Sequence, residues 1–201
     1  ASVVVRPRRP ARVRQQVMES ATVVGPPGQE IHTDALGRVK VQFPWDRDGR
    51  YDDHSSCYLR VMTAWAGDGF GVHFLPRVGM EVLIGFIGGD VDRPVVMGCL
   101  HNATHPVPDG LPGAATRSTL RSRSSPNGGG FNEIAFEDEQ GNEQLFVHAQ
   151  RNLEEIVGNN HQTGVRRDRR ETVRGHRTVA VFGDRTDETA GGHEVRVGSG
   201  R

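Results

Sequence analysis

The chain has little with which to build one large interior. Hydrophobic residues make up 35% of its 201 positions and aromatics 6%, lean for a single big core. No stretch carries a convincing helical period of apolar residues, and 26 glycines and 11 prolines punctuate the sequence, so the class reads as all-β. No apolar run approaches the length of a membrane-spanning helix. Lys and Arg together balance Asp and Glu at 25 each, which leaves no global field to favour nucleic acid or an anionic membrane. Lys40 is the sole lysine; genomic base composition explains that bias more simply than an arginine-specific chemistry. Cys57 and Cys99 are the only cysteines. Without a recognisable signal peptide they read as two reduced thiols at strand ends. The chain starts with Ala and not Met, which reads as an excerpt of a longer polypeptide.

What is present is a repeat. Val157, Val165, Val173 and Val181 return every eighth residue, Thr189 takes the next slot, and Val197 resumes the step. Gly175, Gly183 and Gly191 follow the valine slot by two residues; His161, Arg169, Arg177, Arg185 and His193 follow it by four. Eight is an even number, so a strand keeps the same face inward from one repeat to the next. One strand and one turn fit in each octad, with Gly or Asn at the turn. Such a unit cannot bury its apolar side alone and must stack in an array or wrap around copies of itself. The valines are therefore expected to point inward and the fourth-slot residues outward.

Upstream the pattern changes. Residues 1–16 are Arg- and Pro-rich and read as a linker or the tail of a preceding domain. Residues 17–24, 38–43, 58–63, 79–87 and 95–100 read as strands; Val39, Val41 and Phe43 share one face of the second, and Val82, Ile84 and Phe86 one face of the fourth. Five short strands within 17–105 fit a small closed barrel with the strand count of an OB-fold. The segment 106–130 reads as a linker, 131–157 as a hairpin and neck around Gln140-Gly141-Asn142, and 158–201 as the octad array.

Several constellations invite chemistry, and each has a plainer reading. Asp46, Asp48, Asp52 and Asp53 suggest a calcium loop, but the EF-hand places for Gly and Glu hold Tyr51 and Cys57, so a solvated loop is expected. Asp90, Asp92 and Arg93 suit a tight turn between barrel strands. Glu133, Glu137, Asp138, Glu139 and Glu143 flank a hairpin that offers no sugar cleft. His101 and His105 lack a third metal ligand. No catalytic, metal or cofactor site is expected.

The segments EIHTDALGRVKVQFPWDRDG, SSCYLRV, PRVGMEVLIGFIGGDVDRPVVMG and NEIAFEDEQGNEQLFVHAQRN, followed by the octads, resemble the VgrG family of bacterial type VI secretion spikes. That family is similar to the central spike of contractile phage tails. The resemblance implies an OB-fold followed by a trimeric, intertwined triangular β-helix needle. It also implies a homotrimer seated on an Hcp tube, with a PAAR-repeat tip protein or an effector toxin and its adaptor as cargo. The implied place of assembly is the bacterial cytoplasm, with secretion or translocation into a target cell and transient contact with its membrane. Tyr58 departs from the Trp usual in the family, and 101–130 has no room for the lysozyme domain of the phage relative. A contractile phage or phage-like spike is the alternative of the same architecture. An oligonucleotide-binding OB module is the rival of another class. It needs a basic groove with exposed aromatics, whereas Trp45, Trp65, Phe70 and Phe74 have aspartates among them in sequence.

Overall fold

The structure, a computed structural model, describes Arg14 and residues 17–198. The expected linker or domain tail at 1–16 lies outside the described residues apart from Arg14.

Alternation of apolar and polar residues produces the first sheet. Its strands are β1 (Glu19–Val24), β2 (Lys40–Gln42), β3 (Arg60–Val61), β4 (Glu81–Phe86) and β5 (Pro94–Leu100). They lie in the order β2-β1-β4-β5-β3. All pairings are antiparallel except β3 with β5. Beyond the two outer strands, Val39 and Leu59 exchange both backbone hydrogen bonds, at 3.0 and 2.7 Å. This bridge joins the first strand of the order to the last and closes the sheet into a five-stranded barrel, the OB architecture.

The inward face holds Ala21, Val23, Val39, Val41, Leu59, Val82, Ile84 and Val96, all buried, with Phe43, Val61, Met80 and Phe86 packed against them. Burying each Val, Leu or Ile contributes about 1.5–3 kcal/mol. The expected inner faces of residues 38–43 and 79–87 thus point as the alternation requires. A one-residue shift in register occurs where Leu83 pairs with Gly98 and Ile84 with Val96, leaving Met97 as an extra residue, a bulge that bends β5 around the small barrel. The β4–β5 connection turns through Gly88 and Gly89 at φ of 66° and 71°, a conformation that disfavours a side chain.

A second sheet follows, with β6 (Arg117–Arg121), β7 (Glu133–Glu137) and β8 (Gln144–His148) in sequence order and antiparallel. Here the structure differs from the linker expected over 106–130. Residues 117–121 form a full edge strand on β7, although only Leu120 among them is apolar. What holds β6 is charge: Arg117 and Arg121 both reach the buried Glu133. The expected hairpin is present as β7 and β8.

From Glu154 the chain forms a second unit. Its described residues, 154–198, carry no helix or strand and all are exposed. The backbone bends at 158–159, 166–167, 174–175, 182–183 and 190–191.

Candidate trimerisation surface

Each of those bends lies one or two residues after a valine slot. Gly or Asn occupies at least one of the two bend positions in all but the 166–167 pair, as turn chemistry favours. Val157, Val165, Val173 and Val181 are between 46% and 52% exposed, and Val197 is 88% exposed. One chain alone therefore gives these side chains no interior. Among the described residues 154–198 no backbone–backbone hydrogen bond forms within the chain. A segment with that many open donors and acceptors has water or other chains as its partners.

Three of the five fourth-slot residues lie beside acids. Arg177 lies 3.1 Å from Glu171, Arg185 2.7 Å from Asp187, and His161 3.8 Å from Glu155. In the single chain these pairs close within it. All are exposed, so each contributes at most about 1 kcal/mol.

Upstream, the polar side of the second sheet is organised by Glu133. Its side chain is buried beneath two guanidinium groups, accepting from Arg117 at 2.6 Å and from Arg121. Asp109 approaches Arg117 at 3.1 Å and adds a second carboxylate. The Arg121 hydrogen bond holds the Glu133 carboxyl below the usual glutamate range; burial opposes that shift and Arg117 reinforces it. This network was not legible beforehand, because its two arginines sit in a segment that reads as linker and Glu133 reads as one of five acids on a hairpin.

The remaining candidates fall into local roles. Asp52, Asp53 and His54 bring ligand-type atoms within 4.8 Å of one another. Asp52 accepts the backbone N–H of His54 at 2.8 Å, a turn-stabilising bond. Asp90 accepts the N–H of Asp92, and Arg93 pairs with Ile87 across the turn. The Asn102 side chain caps the HNATH loop, accepting from the backbone of Thr104 and His105. Tyr58 donates to or accepts from His32 at 3.1 Å and lies under the Lys40 ammonium. Cys57 and Cys99 are unpaired, and burial raises the Cys99 thiol pKa. Trp65, Phe70 and Phe74 are exposed around a cavity of about 450 Å³ whose lining includes no Lys or Arg. That is a poor surround for a phosphate backbone.

Comparison with known proteins meets this geometry at both sheets and in the octads. Residues 29–101 match the type VI secretion system/phage-baseplate injector OB domain. Residues 118–201 match the bacteriophage T4 gp5 C-terminal trimerisation domain. The chain is 54% identical over 155 residues to type VI secretion system spike protein VgrG4b of Pseudomonas aeruginosa, covering 77% of this chain and 19% of that protein. The chain belongs to the VgrG spike family. Spike protein VgrG1a of the same organism is 46% identical, over 90% of this chain and 31% of its own length. The actin cross-linking toxin VgrG1 of Vibrio cholerae is 40% identical, over 90% of this chain and 16% of its own length. This chain thus spans between about a sixth and a third of these VgrG relatives. No helix among the described residues is long and apolar enough to cross a membrane.

Proposed function

We propose that this chain is the collar and needle portion of a homotrimeric type VI secretion spike. In this reading residues 17–105 form an OB collar, 131–157 a neck, and 158–201 a needle. Three copies wind together with Val157, Val165, Val173, Val181 and Val197 on the axis. The observation that carries the reading is the match of residues 118–201 to a trimerisation domain. This is the same segment whose valines, at an eight-residue step, find no interior in one chain. Winding three chains pairs the open backbone of each octad with a neighbour and removes exposed edges.

The function is mechanical. A sheath elsewhere supplies the force; these residues stay rigid while puncturing a target membrane. An Hcp tube at the base and a PAAR-repeat tip protein or effector toxin with adaptor are the partners. This reading assigns no catalytic site, cofactor or nucleic-acid groove to the described residues. Assembly takes place in the bacterial cytoplasm, before secretion.

A domain graft tests the spike role. The 155-residue span matched in VgrG4b is replaced by the corresponding residues of this chain, and release of the chimera into the medium is measured. The expected result is release comparable to the parent spike. A chimera that assembles but is never released would refute the role.

A further inference from the structure

We infer that residues 166–177 form a basic band that binds the anionic headgroups of a lipid bilayer. The inference rests on the puncturing role proposed above and gives that role a surface chemistry.

The second unit is neutral over its described residues 154–198, yet its charges are sorted along the chain. Residues 154–165 hold Glu154 and Glu155 and no Lys or Arg. Residues 166–177 hold six arginines against Asp168 and Glu171, a net charge of +4 with histidine neutral. Residues 178–198 return to four acids against Arg185 and Arg196. All of these side chains are exposed. Arg185 and Arg196 each pair with an acid, Asp187 and Glu194. In the band only Arg177 does so, with Glu171. Among the described residues, Arg166, Arg167, Arg169, Arg170 and Arg174 have no carboxylate partner.

Two features set this band apart from an ordinary solvated stretch. The bend at 166–167 is the one described bend of the unit without Gly or Asn. Turn chemistry favours those residues, and Arg166 and Arg167 stand in their place. Winding also cannot cancel the excess. A three-fold axis brings the same residue of each copy to one level, so band meets band and the net charge triples. The surplus guanidinium groups stay in solvent and attract an external anion.

Arginine takes phosphate oxygens in a two-pronged hydrogen bond, which suits a phospholipid headgroup. A nucleic-acid strand carries the same group, but it also uses aromatic faces to stack its bases. Residues 166–177 contain no Phe, Tyr or Trp. The acids at 154–155 and 184–188 also keep the band short along the chain. A short band fits a surface layer of headgroups better than a continuing strand.

Vesicle flotation tests the inference on the full chain. Binding is measured to vesicles of phosphatidylglycerol and phosphatidylcholine in equal parts, and to phosphatidylcholine alone. Arg166→Gln with Arg167→Gln is compared with Arg185→Gln with Arg196→Gln, which removes the same charge outside the band. The five arginines of residues 1–16 are kept in every protein. Each protein is first sedimented to record its oligomeric state. The expected result is a preference for the mixed vesicles that fades with added salt. The band pair should lose at least about tenfold in binding, since each arginine at an anionic surface is worth about fivefold. The control pair should lose less than about threefold. A folded trimer that binds both vesicles equally, or whose band pair binds like the parent, would overturn the inference and leave the spike reading standing. Tighter binding to a single-stranded oligonucleotide than to the mixed vesicles would do the same. A folded monomer would overturn the spike reading and this inference with it. If the band pair fails to accumulate, Arg174→Gln alone reads the same band, with a loss of about fivefold.

Discussion

The carboxylate of Glu30 accepts the hydroxyl of Ser125 at 2.6 Å, across 95 residues of sequence. Its other oxygen takes the backbone N–H of Asn127, also at 2.6 Å. Arg77 donates to the Arg123 carbonyl beside it. These bonds tie the loop between β6 and β7 to the barrel, beyond the single stretch of backbone that joins the two sheets. The Ser125 hydroxyl, then the Asn127 amide, lower the Glu30 pKa.

Glu30→Ala should release that loop without unfolding the barrel. Trypsin should cut at Arg121 or Arg123 several-fold faster than in the parent chain, because local opening becomes easier. The barrel's far-ultraviolet dichroism should be unchanged. Equal cleavage rates would show that the Glu30 bonds do not restrain the loop.

Glu133→Gln should lower the stability of the second sheet by about 1–3 kcal/mol, because it weakens two charge-assisted bonds at a buried position. The pH dependence carries a sign. The Glu133 pKa is depressed in the folded chain, so its contribution is present above the usual glutamate value of 4.5 and is lost as pH falls below it. Melting temperatures of parent and variant should therefore differ at neutral pH and converge in acid. Parallel curves across that range would contradict the role given to this carboxylate.

Gly49 packs against the buried Gln42 amide, where an added Cβ would lie 2.0 Å from the Gln42 side-chain nitrogen. That nitrogen donates to Asp46 at 3.0 Å and anchors the 46–56 loop. Gly49→Ala should displace it, cost about 1–3 kcal/mol, and speed hydrogen exchange across 46–56. Exchange unchanged in that loop would show that the amide is not its anchor.

Val173→Asp would place three carboxylates on the needle axis, at several kcal/mol each for unpaired buried charge. Arg177→Ala on the outer face should cost less than about 1 kcal/mol. Thermal melting should rank them in that order. The reverse order would mean that the inward and outward slots have been exchanged.

The barrel was legible where alternation was clean. Val39, Val41, Val82 and Ile84 announce a buried face by spacing alone, and all four are buried. β6 was hidden for a physical reason. Arg117 to Arg121 offers one apolar side chain, and its pairing depends on an acid twelve or more residues away, which no local pattern records. The same gap concealed which face of β7 its own chain covers: Glu133 and Ala135 are buried while Ile134 and Phe136 stand exposed. Sequence spacing does not tell which side its own chain will cover. The valine step was visible as a period, but its inward direction belongs to an assembly and not to one chain.

Sedimentation equilibrium of the intact chain tests the central claim most directly. Three copies wound through the octads give a single species of about 66 kDa, three times the 22.0 kDa chain, with no folded monomer on dilution. A stable, folded species of 22.0 kDa would contradict the account, because the octad valines would then stand open in water.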